Sequence, residues 1–491
     1  MGSWREARNR WALPATAGSA VLFFFGTGLA PVAALTWLAP LPVLLIAPRV
    51  SGVVAATVAF AACFLGTTNL WDWSANSHDL PLLPGGLLVT AAFGLTFALA
   101  VLVFRGLLRR GRALLAALAG PAVWVGVLYL VSVSNPMGIM GTLATTQADV
   151  PVVLQVASVT GAWGIDYLVL LVPAALAAVL APAVSTGARV RTGTVAVVLL
   201  VAALGGGALR LAGEPGPAQR VALVASNQKG WAADLGTPDG RDLLRDYLAR
   251  LAELPRGVQT VVLPEAAFGS TEARPAVLVE PMGRLARERG FDIVVGFAHW
   301  DGGAKYNYAL TFPARGGGPV PYLKQHDTVS PAGRELVFPP VGGARLGVEI
   351  CMDVNFRNPS SDYAAAGAQL LAIPASDEDA NGWQHSRTAL LRGVENGQAV
   401  AWGGRQTTLM ISDGWGRVLA DAPTDVPAPF TSVVADVPLG PGATPHTRLG
   451  DWFPRLVIAL ALMGLAMCAV RASRVQRDSS VVCEAPHRVD L

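Results

Sequence analysis

Charged residues are scarce in this sequence. They make up 14% of its 491 residues, whereas a soluble globular protein usually carries about 25%. This composition excludes an ordinary soluble enzyme, and the 52% of hydrophobic residues excludes a disordered chain. The net charge of +3 is too small to indicate a nucleic-acid partner. Lysine is especially rare, since only three of the 37 basic residues are lysines (Lys229, Lys305 and Lys324).

Cysteine and histidine are also few, and their spacing indicates no metal site. The four cysteines form no CxxC pair and no Cys/His zinc motif, which argues against both zinc and a disulfide framework. Of the six histidines, His326 and His385 lie nearest to other notable residues, and both are interpreted as structural. We therefore expect neither a metal nor a cofactor.

Much of the shortage of charged residues lies in the first 211 residues. Residues 11–211 contain four acidic residues, eight arginines and no lysine. Because a bilayer core about 30 Å thick needs roughly 20 apolar residues per helix, the long apolar runs predict membrane spans. We place them at residues 14–30, 32–48, 51–70, 84–104, 114–134, 152–181 and 193–211, with an eighth at 453–470. The first two, joined by a tight proline turn, are also compatible with re-entrant segments.

The arginines predict how these spans are oriented. Short cytoplasmic loops are enriched in Lys and Arg, and arginines occur before the first span and after the second, fourth, sixth and eighth spans. The charged residues that we assign to the alternate connections, around residues 71–83 and 135–151, are aspartates. Both termini are therefore predicted to be cytoplasmic, and residues 212–452 to lie on the other side of the membrane.

Residues 212–452 have a different character, because short β-branched runs alternate with amphipathic segments. Strand patterns occur at residues 219–226, 259–264, 292–299, 306–313, 344–350, 368–374 and 398–411. Helical patterns occur at residues 238–254, 275–289, 360–366 and 383–396. This alternation predicts a layered α/β domain.

The chain thus divides into four predicted parts. Residues 1–211 form a membrane domain of about seven helices, and residues 212–452 form the extracytoplasmic α/β domain. Residues 453–471 form a closing span, and residues 472–491 an unstructured cytoplasmic tail. Within the α/β domain, the proline-rich stretch 421–429 predicts a surface loop.

Cys351 is the single cysteine of the α/β domain. It ends the apolar strand pattern in GVEICMDVNF, where the chain changes direction. Such a strand–turn–helix elbow often presents a nucleophile. Taken alone, however, an isolated cysteine at this position is better explained as a small buried hydrophobic residue.

Two further residues strengthen the chemical interpretation. Glu265 in VVLPEAAFG and Lys324 in PYLKQHD each follow an apolar strand, although Glu and Lys usually mark solvated faces. A carboxylate can deprotonate a thiol, the thiolate can attack a carbonyl, and an ammonium group can stabilise the resulting oxyanion. Asn307, inside a strand pattern, is interpreted as structural.

The order of LPE, YLK and IC along the chain resembles the Glu–Lys–Cys triad of the nitrilase, or carbon–nitrogen hydrolase, superfamily. The segments FFFGTGLAP, NPMGIMGTLATTQADV, WQHSRTALLRGVENG and TRLGDWFP make the resemblance narrower. With the predicted membrane frame, residues 12–470 resemble the apolipoprotein N-acyltransferase family. Met352 and Asp353 follow the cysteine where that family usually has Tyr and Glu, which fits a divergent member.

The resemblance implies a fold and a set of roles. The fold is a multi-pass α-helical membrane domain plus an extracytoplasmic nitrilase-like α-β-β-α sandwich, in a bacterial plasma membrane. Glu265 would be the general base, Lys324 the oxyanion-stabilising cation and Cys351 the nucleophile. Glu335 would be a second glutamate on the loop after the lysine, and the Met352 N–H would be an oxyanion donor.

The activity implied by the resemblance is N-acyl transfer. A phospholipid acyl chain would pass through a thioester on Cys351 to the α-amine of a diacylglyceryl-cysteine lipoprotein, without a cofactor. Two alternatives stay open from the sequence. One is a membrane-tethered amidase that uses the same triad, and the other is a transporter or binding protein with an inactive nitrilase-like domain.

Overall fold

The structure is a computed structural model that describes residues 10–77, 80–182, 184–214, 216–377 and 382–481, with side chains described up to residue 469. The helices before the α/β domain are α1 (Ala12–Gly26), α2 (Ala33–Leu38), α3 (Leu41–Ile46), α4 (Gly52–Gly66), α5 (Trp71–Asn76), α6 (Leu87–Leu108), α7 (Ala113–Ser134), α8 (Pro151–Leu154), α9 (Ala157–Thr160), α10 (Ala162–Val179) and α11 (Thr186–Leu211).

Within the described residues, six helical segments are long and apolar enough to cross a membrane. They are Gly52–Asn76, Leu82–Leu108, Ala113–Ser134, Ala162–Val179, Thr186–Leu211 and Trp452–Ala469. Helices α4, α6, α7 and α10 pack side by side, whereas α11 contacts mainly α10 at the edge. Large apolar side chains on α11, such as Val197 and Leu209, are exposed, as a surface that faces lipid requires.

The first two predicted spans are shorter in the structure. Helix α1 has 15 residues, which at 1.5 Å per residue reach about 22 Å and fall short of a bilayer core. The second predicted span is divided into α2 and α3, because Pro40 and Pro42 interrupt the helix between them. Residues 14–30 and 32–48 therefore form shorter helices than the predicted spans, and their path through the membrane stays a prediction.

The sixth predicted span, 152–181, is also divided. Two short helices, α8 and α9, precede the long helix α10, and Gly161 separates α9 from α10. Gly161 has φ +69°, and a Cβ atom there would lie 2.9 Å from the ring of His446. A glycine is therefore required at the start of helix α10, where the chain packs against His446.

The α/β domain contains β1 (Ala218–Ser226), β2 (Ala233–Asp234), α12 (Pro238–Ala252), β3 (Thr260–Val262), β4 (Phe268–Ser270), α13 (Ala276–Arg289), β5 (Asp292–Asp301), β6 (Ala304–Phe312), β7 (Val320–Leu323), β8 (Leu346–Val348), α14 (Ser360–Ala365), β9 (Leu370–Ser376), α15 (Gly382–Asn396), β10 (Ala399–Arg405), β11 (Thr408–Ser412), β12 (Val418–Pro423) and β13 (Phe430–Pro438). Helices α16 (Pro445–Leu449) and α17 (Trp452–Val481) follow.

These strands form two sheets that pack face to face. The larger has the order β13-β1-β3-β5-β4-β2, with β6 and β7 added through β5, and the smaller has the order β12-β11-β10-β9-β8. Helices α12 and α13 contact elements of the larger sheet, and α15 contacts the smaller sheet. The predicted layered α/β domain, an α-β-β-α sandwich, is confirmed.

Apolar patterning explains how the layers are joined. Leu244, Tyr247 and Leu251 recur at three- and four-residue spacing on α12, and all three are buried against the larger sheet. A second apolar cluster starts between the two sheets and continues into the membrane helices, from Ile373 through Leu390 to Leu154 and Val169. The α/β domain and the membrane part therefore share one core.

Three details of the predicted elements were wrong. The single strand pattern at 398–411 is a hairpin, β10 and β11, which turns at Gln406 with φ +58°. The sequence did not predict the short strands β2 and β4, or β12, which takes up the start of the predicted surface loop 421–429, or β13, a half-buried strand that pairs antiparallel with β1. The tail predicted to be unstructured from residue 472 continues α17 to Val481, since no proline or glycine interrupts it; residues 482–491 lie outside the described residues.

Candidate active site

Glu265 lies just beyond the end of β3, at the edge where the two sheets meet. Its side chain is buried, and its backbone N–H donates to the Ala375 carbonyl of the smaller sheet at 3.3 Å. On the neighbouring strand β5, Gly296 lets the backbone of Pro264 and Glu265 pass close by, because a Cβ atom at position 296 would lie 2.1 Å from the Pro264 carbonyl oxygen. The fold thus holds the carboxylate in a fixed, water-poor position.

Lys324 follows β7 and reaches the same point. Its Nζ donates to Glu265 Oε1 at 2.8 Å, and Asn307 Nδ2 donates to the same oxygen at 2.7 Å. Burial by itself lowers the pKa of Lys324, but the negative charges of Glu265 and Asp327 outweigh burial and hold that pKa above its usual value. The ammonium group therefore keeps its proton.

Cys351 begins a short 3-10 turn, Cys351–Asn355, which follows β8. Its φ is +43°, a conformation that costs a non-glycine residue energy and is common at functional elbows. The thiol is 6% exposed, and its Sγ lies 3.6 Å from the Ser376 carbonyl oxygen. Burial, together with the charges of Glu265 and Asp377, raises the pKa of the Cys351 thiol, and Lys324 opposes this effect. The thiol therefore needs a base when it reacts.

Asp353 fixes the turn that carries Cys351. Its Oδ2 accepts from the Ile350 N–H at 2.9 Å and from the Tyr322 hydroxyl at 2.8 Å. Its Oδ1 accepts from the backbone N–H groups of Gln325 and His326 at 3.1 and 2.7 Å. This buried carboxylate joins the cysteine turn to the segment that carries the lysine. The sequence motif differed from the family pattern here, and that difference was the signal of its importance.

Asp327 is a second carboxylate near the lysine that sequence reasoning missed. Its Oδ2 lies 4.0 Å from Lys324 Nζ and 3.5 Å from Asn307 Nδ2. Its Oδ1 accepts from the N–H groups of Val329 and Ser330, both at 2.8 Å, which turns the chain locally. Its position three residues after the lysine could have identified it.

Asp377 and His385 lie on the opposite side of the cysteine. His385 Nδ1 is 2.7 Å from Asp377 Oδ1 and 4.0 Å from Cys351 Sγ, and all three side chains are buried. Sequence reasoning treated His385 as structural. Because 34 residues separate it from Cys351, no local spacing could have indicated their contact.

Glu335 and Met352 are the two remaining residues that the sequence predicted for the site. Glu335 is exposed on the loop after β7, where its backbone carbonyl accepts from Gln325 Nε2 at 3.2 Å. The structure does not bring its carboxylate to the other three predicted residues. Met352 is the second residue of the 3-10 turn, and the first N–H groups of a helical turn have no acceptor within that turn. The roles of both stay predictions.

The site lies against loops of the membrane part. Asn355, at the end of the cysteine turn, accepts from the Ile139 N–H at 3.2 Å and donates through Nδ2 to the Met137 carbonyl at 3.3 Å. Gln384, next to His385, donates to the Gly28 carbonyl at 3.3 Å. A buried thiol, a carboxylate and an ammonium group thus lie together beside the membrane helices, an arrangement that is chemically able to support acyl transfer through a thioester.

Comparison with known families agrees with both parts of this architecture. The profile of the Carbon-nitrogen hydrolase family matches residues 220–437, and that of the Apolipoprotein N-acyltransferase N-terminal domain matches residues 19–175. Together the two matches support an apolipoprotein N-acyltransferase in the nitrilase superfamily. The predicted family and its place in the nitrilase superfamily are confirmed.

Individual relatives include an apolipoprotein N-acyltransferase and a hydrolase. The apolipoprotein N-acyltransferase of Gloeobacter violaceus is 30% identical over 259 residues, which cover 47% of this chain and 49% of the relative. A hydrolase of Mycobacterium tuberculosis is 27% identical over 219 residues, which cover 40% of this chain and 78% of the hydrolase. The aligned part thus spans about half the length of the Gloeobacter relative.

Among solved structures, the α/β domain is similar to Saccharomyces cerevisiae Nit3, a member of branch 10 of the nitrilase superfamily. The identity is 20%, the alignment covers 46% of this chain and 92% of Nit3, and the TM-score is 0.38. At these values the likeness supports no conclusion about activity.

Proposed function

We propose that this protein is a membrane N-acyltransferase that forms a thioester on Cys351. The acyl chain comes from a phospholipid and passes to the α-amine of an N-terminal diacylglyceryl-cysteine. The observation that carries the proposal is the contact between the cysteine turn and the membrane loops, through Asn355 with Met137 and Ile139. A nucleophile seated at that position is suited to substrates whose acyl chains lie in a bilayer.

In the first half-reaction, Glu265 removes the thiol proton as Cys351 Sγ attacks the ester carbonyl carbon. Lys324 and the Met352 N–H stabilise the oxyanion of the tetrahedral intermediate. The intermediate collapses when the C–O ester bond breaks, and the leaving lysophospholipid oxygen takes the proton from Glu265. The raised pKa of the Cys351 thiol makes this proton transfer necessary, because little thiolate is present beforehand.

In the second half-reaction, the free α-amine of the lipoprotein attacks the thioester carbon and gives its proton to Glu265. Lys324 again stabilises the oxyanion. The C–S bond breaks, the thiolate recovers a proton from Glu265, and an amide is left on the lipoprotein. One base and one cation therefore serve both steps, as in other covalent two-step mechanisms.

The proposal includes an orientation in the bacterial inner membrane. The arginine distribution supports cytoplasmic termini and an α/β domain on the extracytoplasmic side. The acyl donor and the lipoprotein acceptor would then both be reached from the outer leaflet. An experiment with cysteine-labelling reagents on each side of the membrane can test this orientation separately from the chemistry.

Hydrolysis is the second candidate function, and the similarity to the Mycobacterium tuberculosis hydrolase favours it. In that case water would attack the thioester in place of the amine, with the same triad. The buried position of Cys351 is the physical argument against it, since free access of water would discharge the acyl group.

The test is to incubate the purified full chain with phospholipid and measure its intact mass. We expect one acyl adduct on Cys351 that hydroxylamine removes and that a diacylglyceryl lipopeptide discharges to an N-acylated product. The Cys351→Ala variant should show no adduct, while Cys63→Ala, a matched cysteine in the membrane part, should keep it. Absence of the adduct in the wild type would overturn the proposal.

The role of the base can be tested in the same assay. Glu265→Gln removes the proton acceptor but keeps the size and the hydrogen-bonding oxygen, so adduct formation should slow by about a hundredfold or more. Glu280→Gln, an exposed glutamate on α13, serves as the control and should leave the rate unchanged. An unchanged rate in Glu265→Gln would show that another group takes the proton.

A further inference from the structure

Three potential ligand atoms converge on one point beside the nucleophile. The Sγ of Cys351, a carboxylate oxygen of Asp377 and Nδ1 of His385 all lie within 4.8 Å of one another. The residues are 6%, 5% and 4% exposed, so the point is shielded from solvent. This cluster belongs to neither the base nor the cation of the proposed reaction.

The geometry does not fit an imidazole proton relay. A histidine that relays a proton between a thiol and a carboxylate uses its two ring nitrogens for the two partners. Here both partners face Nδ1, at 4.0 Å for Cys351 Sγ and 2.7 Å for Asp377 Oδ1. Nε2 is buried and has no hydrogen-bond partner among the described residues. One nitrogen cannot receive a proton from the thiol and donate one to the carboxylate at the same time.

The surrounding charge favours a cation at this point. Asp377 places a negative charge beside the Cys351 thiol, whereas the carboxylates of Glu265 and Asp327 lie close to Lys324. The second oxygen of Asp377 is buried and has no hydrogen-bond partner among the described residues. A cation at this point would offset the charge of Asp377 and would satisfy its buried acceptor.

We propose that Cys351, Asp377 and His385 form a zinc-binding site that reversibly blocks the nucleophile. A thiolate, an imidazole and a carboxylate are ligands that Zn²⁺ accepts, and three protein ligands leave a fourth position for water. Calcium and magnesium would not select this set, because they prefer oxygen ligands alone. The blocking effect rests on the proposed function, whereas the binding itself does not.

Small side-chain movements would complete the coordination. With Zn–S near 2.3 Å and Zn–N and Zn–O near 2.0–2.1 Å, ligand atoms in a tetrahedral site lie roughly 3.3–3.6 Å apart. The sulfur and Nδ1 are 4.0 Å apart and would move closer, while Nδ1 and Oδ1 are 2.7 Å apart and would separate. On binding, the Cys351 thiol proton passes to solvent buffer, and the imidazole carries its proton on Nε2.

The functional consequence would be inhibition that a chelator reverses. A zinc-bound sulfur shares a lone pair with the metal and is a much weaker nucleophile towards an ester carbonyl than the free thiolate. Zinc should therefore prevent the acyl adduct on Cys351, and EDTA should restore it.

The binding test uses the full chain in detergent micelles, with Co²⁺ as a spectroscopic substitute for Zn²⁺. Thiolate coordination gives a near-ultraviolet charge-transfer band, which excess Zn²⁺ should remove. We expect one Co²⁺ per chain with this band in the wild type and no band in Cys351→Ala. Affinity should fall by about tenfold or more in His385→Ala and in the more conservative Asp377→Asn, because each loses a ligand.

His299→Gln is the matched control, since His299 lies in β5 and contacts the Ser270 carbonyl instead of this cluster. It should bind Co²⁺ like the wild type. A wild type without the thiolate band, or a Cys351→Ala variant that retains it, would overturn the site. The acyl adduct measured without metal reports on the proposed function alone, so the two failures are distinguishable. A wild type that shows the band but acylates equally fast with bound Zn²⁺ would overturn the blocking role.

Discussion

At the scale of single residues, Asp353 has a larger part in the site than its place in the motif indicates. It accepts four hydrogen bonds and is fully buried. Three of its donors are backbone N–H groups, from Ile350, Gln325 and His326. It replaces the glutamate that the family usually has two positions after the cysteine, and the shorter side chain suits these close backbone donors.

We predict that Asp353→Asn weakens both the fold and the reaction. The amide nitrogen can donate but cannot accept, so at least one buried N–H loses its partner, at a cost of about 1–3 kcal/mol in the free energy of unfolding. The cysteine turn should also lose its fixed position relative to Lys324. Thermal unfolding and the rate of adduct formation measure these two effects.

The control for this prediction is Asp362→Asn, an exposed aspartate on the nearby helix α14. It should change neither measurement. An Asp353→Asn variant with the stability and rate of the wild type would mean that the hydrogen bonds of Asp353 do not hold the cysteine turn.

The sequence predicted the residues of the triad because each follows an apolar strand, and a polar residue at that position is conspicuous. Asp377 and His385 could not be selected in the same way. Their importance depends on which chain segments the fold brings together, and Asp377 ends a strand of one sheet while His385 lies on a helix that covers it. Local patterns carry no information about such convergence.

At the scale of elements, helix α15 joins the two parts of the chain. Glu395 Oε1 accepts from the Ala162 N–H at 2.7 Å and so caps the first turn of membrane helix α10. Arg392 Nη1 lies 2.7 Å from the other oxygen of Glu395, and Arg387 Nε donates to Asp149 Oδ1 at 3.1 Å. A negative charge at a helix N-terminus is favourable.

We expect Glu395→Ala to loosen this junction. The Ala162 N–H would lose its acceptor and Arg392 its counter-ion, so the free energy of unfolding should fall by about 0.5–2 kcal/mol, as for the loss of a helix cap. Thermal unfolding in detergent gives the measurement. Glu288→Ala, on the exposed face of α13, should leave the midpoint unchanged; equal midpoints for Glu395→Ala and the wild type would argue against the capping role.

Helices and strands with a strong hydrophobic periodicity were predicted correctly. Elements whose position depends on contacts with segments remote in sequence were not. The pattern of α12 predicted residues 238–254, and the helix spans Pro238–Ala252 with Thr237 as its N-cap. Strand β13 was missed because its burial is intermediate and its place is set by pairing with β1. The break at Gly161 was missed because the residue it accommodates, His446, is remote in sequence.

At the scale of the whole molecule, the junction of the two parts also contains a titratable group. His446 on α16 is buried beside Gly161, and burial chiefly lowers its pKa, with Glu395 opposing the effect. The unfolded chain therefore binds a proton more readily than the folded one below about pH 6.5. The contribution of neutral His446 to the free energy of unfolding is therefore complete above that pH and decreases as the pH falls below it.

We predict that the unfolding midpoint of the wild type is lower at pH 5.5 than at pH 7.5, and that His446→Gln reduces this difference. The glutamine cannot be protonated, so the variant lacks the contribution that acid removes. Thermal unfolding at both pH values measures it. His299→Gln should keep the full difference of the wild type, and a His446→Gln variant with that same full difference would contradict the assignment.

The first and last strands of the α/β domain pair with each other, with Ala218 opposite Pro438. The chain thus enters from α11 and leaves towards α17 at one edge of the domain, and α17 packs on α7 within the helix bundle. Two adjacent tethers prevent the domain from swinging away from the lipid. In the proposed reaction, the α/β domain and its lipid substrates then meet by diffusion within the plane of the membrane. Turnover should follow the mole fraction of lipid substrate in the surface, so inert lipid would slow the reaction by dilution even at constant bulk concentration.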